Sequence, residues 1–81
     1  MKYLISYDLD KPGQNYTGLI SDLQRSGAVR VLKSAWAINT SWSAVQIRDW
    51  VKQRTDSNDR VVVTELDNWA AHNPMAKISE V

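Results

Sequence analysis

Residues 2–9 alternate along the chain. Tyr3, Ile5, Tyr7 and Leu9 fall on one side, and Leu4, Ser6 and Asp8 on the other. A period of two with one side so apolar predicts a strand with one strongly buried face. The run "DKPGQN" follows, and Pro12-Gly13 is a turn signal. Tyr16, Leu19, Ile20 and Leu23 then recur at i, i+3, i+4 and i+7, the stripe of an amphipathic helix. Asn15 is placed to cap its start. Gly27 is placed to take the left-handed conformation just past its end.

Residues 28–40, "AVRVLKSAWAINT", alternate again and are rich in Val, Ile and Trp. The run is long for one strand and breaks at Lys33-Ser34, so it reads as two short strands or one bent strand joined near Ser34. Ser43 and Gln46 form the S-x-x-Q of a capping box, with Trp42 and Ile47 spaced as a hydrophobic staple. Ile47, Trp50, Val51 and Arg54 continue that second helix as a stripe whose last member is charged. "DSND" at 56–59 is a turn, because Asp, Ser and Asn side chains bond their own backbone. "RVVVTEL" at 60–66 is a strand of good sheet formers. In the tail, 67–81, "NWAAHN" suits a helical turn stopped before Pro74. "KISEV" fits a short strand or a disordered end.

The order β-α-β-β-α-β packs most simply as an α+β ferredoxin-like sandwich, one antiparallel four-stranded sheet with both helices on one face. That leaves the other sheet face without cover. Trp36 and Ile38 share one side of the third strand and Ala35 and Ala37 the other, so at least one Trp is expected on the open face. A large apolar patch there would need a partner, and for a short chain a second copy is the simplest one.

Length and composition narrow the function classes. A chain of 81 residues is one domain, 1–81, with a modest core and much to gain from oligomerising. The absence of Cys removes disulfides, zinc-thiolate sites and thiol catalysis. The opening "MKYLISYDLD" is too short and too polar for a signal peptide or a membrane span, so the cytoplasm is the expected compartment and no membrane is expected as partner. A net charge of +1 exerts little pull on nucleic acid, so any such role must rest on local clustering.

Three groups of residues could carry chemistry. Asp8 and Asp10 end the first strand two residues apart. Carboxylates there suit Mg²⁺, which takes oxygen ligands and keeps several waters, but they equally suit a strand end returning to water and capping a turn. Arg30 and Lys33 are candidates for phosphate contacts, while Arg48, Lys52 and Arg54 alternate with acids and read as a solvated helix face. The aromatic residues read mostly as core or interface packing, since no stretch has the paired aromatics with Gly of RNA-recognition modules. His72, the only histidine, has no Ser or Asp arranged with it as a triad.

Taken in order, "YLISYDLD", a helix, "RVLKSAW", a capped helix and a Val-rich strand resemble the small CRISPR-associated Cas-two endonuclease family and its relatives, which include VapD-like toxins and short SinR-like bacterial proteins. The likeness to the SinR-like group is carried by "YLISYDL", "PGQNY", the Trp of "SAW" and "SAVQIRDWV", and covers roughly residues 2–68. It rests on order and spacing rather than on one motif. The resemblance implies a ferredoxin-like fold and a homodimer. It makes Asp8 the catalytic and metal-binding residue, one from each protomer near the two-fold axis. The implied cofactor is Mg²⁺ or Mn²⁺, and the implied activity is cleavage of RNA or DNA phosphodiesters. Arg30 matches the Arg that opens the family's Arg-x-Gln-x-Ser-Val-Phe stretch and Ser34 its Ser, while Leu32 replaces its Gln and Trp36 its Phe. Arg30, Lys33 and Ser34 are the expected nucleic-acid contacts. Asn15, Tyr16 and Thr17 stand where some nuclease members are basic. Those departures, with the low net charge, leave a second reading: a dimeric module of the same fold that binds nucleic acid or protein without cleaving. The tail, 67–81, is a candidate for dimer contacts.

Overall fold

The computed structural model describes residues 1–9 and 16–81. Asp10, the Pro12-Gly13 turn and Asn15 lie outside the described residues. The first strand, β1, is Lys2–Asp8. The first helix, α1, is Thr17–Arg25, with Tyr16 at its N-cap position and no side-chain cap.

Helix α1 ends as Gly27 suggests. Gly27 takes φ +84°, its N–H bonds Gln24 C=O at 3.1 Å, and Ala28 N–H bonds Leu23 C=O at 3.2 Å. That bond pair is a Schellman motif, and Leu23 and Ala28 complete it by packing together in the core. Strands β2, Val29–Leu32, and β3, Ala35–Asn39, form the expected hairpin, with a register shift between Arg30 and Leu32. The second helix, α2, is Ala44–Lys52. Its capping box is complete: Gln46 N–H bonds Ser43 Oγ at 3.1 Å, and Ser43 N–H bonds Gln46 Oε1 at 2.9 Å. Strand β4 is Arg60–Glu65.

The strands form one antiparallel sheet in the order β2-β3-β1-β4. With two helices on one face, this is the α+β ferredoxin-like arrangement. Tyr3, Ile5, Tyr7 and Trp36 point inward from the sheet to meet Leu19 and Leu23 of α1 and Ile47 and Val51 of α2. Arg54, just past α2, ties the two helices together. Its Nε bonds Asp22 Oδ2 of α1 at 2.8 Å, and its guanidinium lies 3.9 Å from the Trp50 ring centre.

The outer face differs from expectation in two ways. Trp36 does not lie on it: register pairs Trp36 with Ile5, and the indole is buried on the helix side. Nor is the outer face bare. The tail folds back across β2 and β3 and seals Ala35, Ala37 and Val31 under Ile78. Met75 N–H bonds Val31 C=O at 2.8 Å on the β2 edge, and Lys2 Nζ sits 5.5 Å from the Trp69 ring centre. Residues 68–73, suited by sequence to a helical turn, form bends without a helix, and Asn73 takes φ 50° ahead of Pro74. The end of the tail is a short 3₁₀ turn, Ile78–Glu80, rather than a strand. Small Ala side chains on β3 let the tail approach closely, which alternation alone does not reveal. Among the described residues, no helix is long and apolar enough to cross a membrane.

Candidate functional site

Asp8 is the last residue of β1, and the period of two puts it on the outer face with Leu4 and Ser6. The tail covers β2 and β3 on that face and reaches Leu4 of β1 and Leu66 beyond β4. Asp8 lies at the far end of β1, where Val62 of β4 is also exposed. Antiparallel register sets Asp8 opposite Arg60, the first residue of β4. Arg60 Nη1 lies 3.2 Å from Asp8 Oδ2, and the side chains are 83% and 72% exposed. In water such a pair is worth about 0–1 kcal/mol, so another cation can displace Arg60 at small cost.

The β2–β3 turn reaches the same end of the sheet. Tyr7 N–H bonds Ser34 C=O at 3.0 Å, so the residue before Asp8 is hydrogen-bonded to the turn. Lys33 and Ser34 are exposed there. Arg30 reaches the turn from the other face of the sheet. Its Nε and Nη2 bond Lys33 C=O at 3.0 and 2.6 Å, and its guanidinium lies 5.5 Å from the Trp36 ring centre. Arg30 therefore braces its own hairpin on the helix side of the sheet, while Asp8 points to the outer side. The bond closes the turn, and a planar guanidinium suits both jobs at once.

The structure thus places Lys33 and Ser34 at the same end of the sheet as Asp8, and bonds Arg30 to the Lys33 carbonyl from the helix side. Beside Asp8 stands Arg60, which no sequence motif marks. The signal was present: if β4 runs antiparallel beside β1, the first residue of one meets the last of the other. His72 is exposed in the tail, with Asn73 Nδ2 3.3 Å from its Nε2.

No group of three His, Cys, Asp or Glu side chains converges among the described residues. Mg²⁺ or Mn²⁺ is satisfied with one or two carboxylates when water and phosphate oxygens fill the remaining positions. Asp8 fits that demand in kind. It is an exposed carboxylate that, among the described residues, meets Arg60 through Oδ2. A second copy would be needed to double it. Compared with known proteins, the chain matches no family model and no solved structure.

Proposed function

We propose that the chain acts in the cytoplasm as a homodimer that cleaves RNA or DNA phosphodiesters with Mg²⁺ or Mn²⁺ held by Asp8 from each protomer. The observation that carries this reading is the exposed Asp8–Arg60 pair at the end of β1, beyond the part of the outer face that the tail covers. Bound metal would lower the pKa of a water and offset charge on the phosphate. Asp8 would orient that ion. Arg60, released from Asp8, would hold a non-bridging phosphate oxygen through charge-assisted hydrogen bonds. The oxygen of water would add to phosphorus as the bond to the leaving oxygen breaks, and the proton from water would end on the leaving group. Lys33 and Ser34, in the adjacent turn, would contact the flanking backbone. The test is purified protein with labelled RNA and DNA, with and without Mg²⁺ or Mn²⁺, beside Asp8→Ala. Metal-dependent cleavage by the parent alone supports the proposal. Equal cleavage by both proteins, or none by either, overturns it.

A second reading is a dimeric module that binds nucleic acid or protein without chemistry. It is favoured by the pairing of Asp8 with a cation in its own chain and by the use of Arg30 as a hairpin brace. A salt titration separates the two kinds of partner. Contacts to several phosphates give an affinity that falls steeply with salt, whereas a protein partner held by apolar surface gives a flat response.

A further inference from the structure

We propose that the cavity between α1, α2 and the end of β3 is a binding site for one planar aromatic ring that carries a hydrogen-bond acceptor at its edge. The site is independent of Asp8. Register places Asn39 opposite Lys2, at the other end of β1.

The cavity has a volume of about 190 Å³. Its floor is Ile5, Leu23 and Ile47, all deep in the core, so it opens directly onto the apolar interior. Trp42 and Trp50 form its walls. An apolar cavity of about 150 Å³ is known to take up benzene, so one ring fits here with room for a small substituent. Two indole walls favour a planar aromatic guest over an aliphatic one of equal size, through offset and edge contacts. One wall is preset. Trp50 is clamped by Arg54, which Asp22 holds in turn. The other wall, Trp42, is 45% exposed and precedes the cap of α2, so it can adjust to a guest.

The mouth decides the guest's polarity. Ser26 Oγ donates to Asp22 C=O at 2.7 Å, so its hydrogen is engaged. Thr40 Oγ1 accepts from Trp42 N–H at 3.2 Å, which leaves the Thr40 hydroxyl hydrogen free. One donor, the Thr40 hydroxyl, thus stands over an apolar, aromatic-walled hole, an arrangement typical of small-molecule sites. A carbonyl or similar acceptor on the ring's edge would satisfy it.

The probe is acetophenone, compared with ethylbenzene, which lacks the carbonyl oxygen. The chain has four Trp, so a ¹H–¹⁵N spectrum gives four indole signals. Acetophenone should move those of Trp42 and Trp50 and leave that of Trp69, on the outer face, in place. Ethylbenzene should bind about 3- to 10-fold more weakly, the value of one hydrogen bond. Thr40→Val should narrow that difference, and Trp42→Ala should weaken both ligands by about 3- to 10-fold. No saturable shift at Trp42 and Trp50 up to the solubility limit, or equal shifts at Trp69, overturns the site. Equal affinity for the two probes in the parent protein overturns the acceptor requirement, and that arm needs no variant to fold.

Discussion

The indole N–H of Trp36 donates to the hydroxyl of Tyr7 at 3.0 Å, inside the core between sheet and helices. Each group would otherwise be a buried polar atom, and together they satisfy each other. The bond also fixes the end of β1 immediately before Asp8. Tyr7→Phe keeps the ring and removes the acceptor, so the indole N–H is left buried and unmatched. The expected loss is about 1–3 kcal/mol of unfolding free energy, measured by urea denaturation followed by circular dichroism. A loss below a few tenths would mean that the indole finds another acceptor.

Gly27 holds the end of α1 at φ +84°, and a Cβ built there meets nothing within 4 Å. The cost of Gly27→Ala is therefore backbone strain alone, about 1–2 kcal/mol for a left-handed residue with a side chain. Gly27→Asn should cost less, because Asn tolerates that conformation. Equal thermal midpoints for the parent and the Ala variant would refute this account of the helix end.

Arg54 combines a salt bridge to Asp22 with stacking on Trp50, with both charged side chains about 70% buried: they are 29% and 31% exposed. Arg54→Lys keeps the charge and loses the planar stack and the fork. It should destabilise by about 1 kcal/mol, and Arg54→Ala by about 1–2 kcal/mol, since the cation–π contact and the ion pair each contribute roughly 0.5–1 kcal/mol. If Lys restored full stability, charge alone would be at work.

The contrast between Ser43 and Trp36 shows what a sequence reveals here. The start of α2 and the Gly27 stop of α1 are local chemistry, written within a few consecutive residues, and they are legible as such. The α+β ferredoxin-like class is legible too, because few topologies accommodate the order of elements. Which side of β3 faces the helices is not local. Trp36 and Ala35 alternate in the same way whichever side is inward, and only pairing with Ile5 and Ser6 decides. Arg30 was readable as a cation but not as a brace, because its acceptor is a turn carbonyl whose position depends on the register shift in β2. The tail carried no periodic pattern, so its seat on Ala35 and Ala37 could not be read from it.

That seat makes the tail part of the fold. Ile78 is the buried anchor of the outer cluster, against Val31, Ala35 and Ala37. Ile78→Ala should cost about 2 kcal/mol, at the low end for a buried Ile because the site is at the surface rim. Ile78→Asp should loosen the whole segment and raise amide exchange at Met75, whose N–H bonds Val31. Unchanged exchange in Ile78→Asp would show the tail to be held elsewhere.

Asp8 and Arg60 separate stability from function most cleanly. Their bridge is exposed, so Asp8→Asn and Arg60→Ala should each leave unfolding free energy within about 0.5 kcal/mol of the parent. Their functional effects should be opposite in one respect. If Asp8 holds a metal as proposed, that metal and Arg60 compete for the same carboxylate, so Arg60→Ala should tighten Mn²⁺ binding, while Asp8→Asn should weaken it. Both should lower cleavage, the first by loss of the phosphate contact and the second by loss of the metal. If Mn²⁺ bridges two Asp8 carboxylates, it also favours the dimer by mass action. Sedimentation should then show Mn²⁺ raising the dimer fraction of the parent and of Arg60→Ala, but not of Asp8→Asn. Identical Mn²⁺ isotherms for all three proteins would remove Asp8 from any metal site and leave its bridge to Arg60 as an exposed strand-end ion pair.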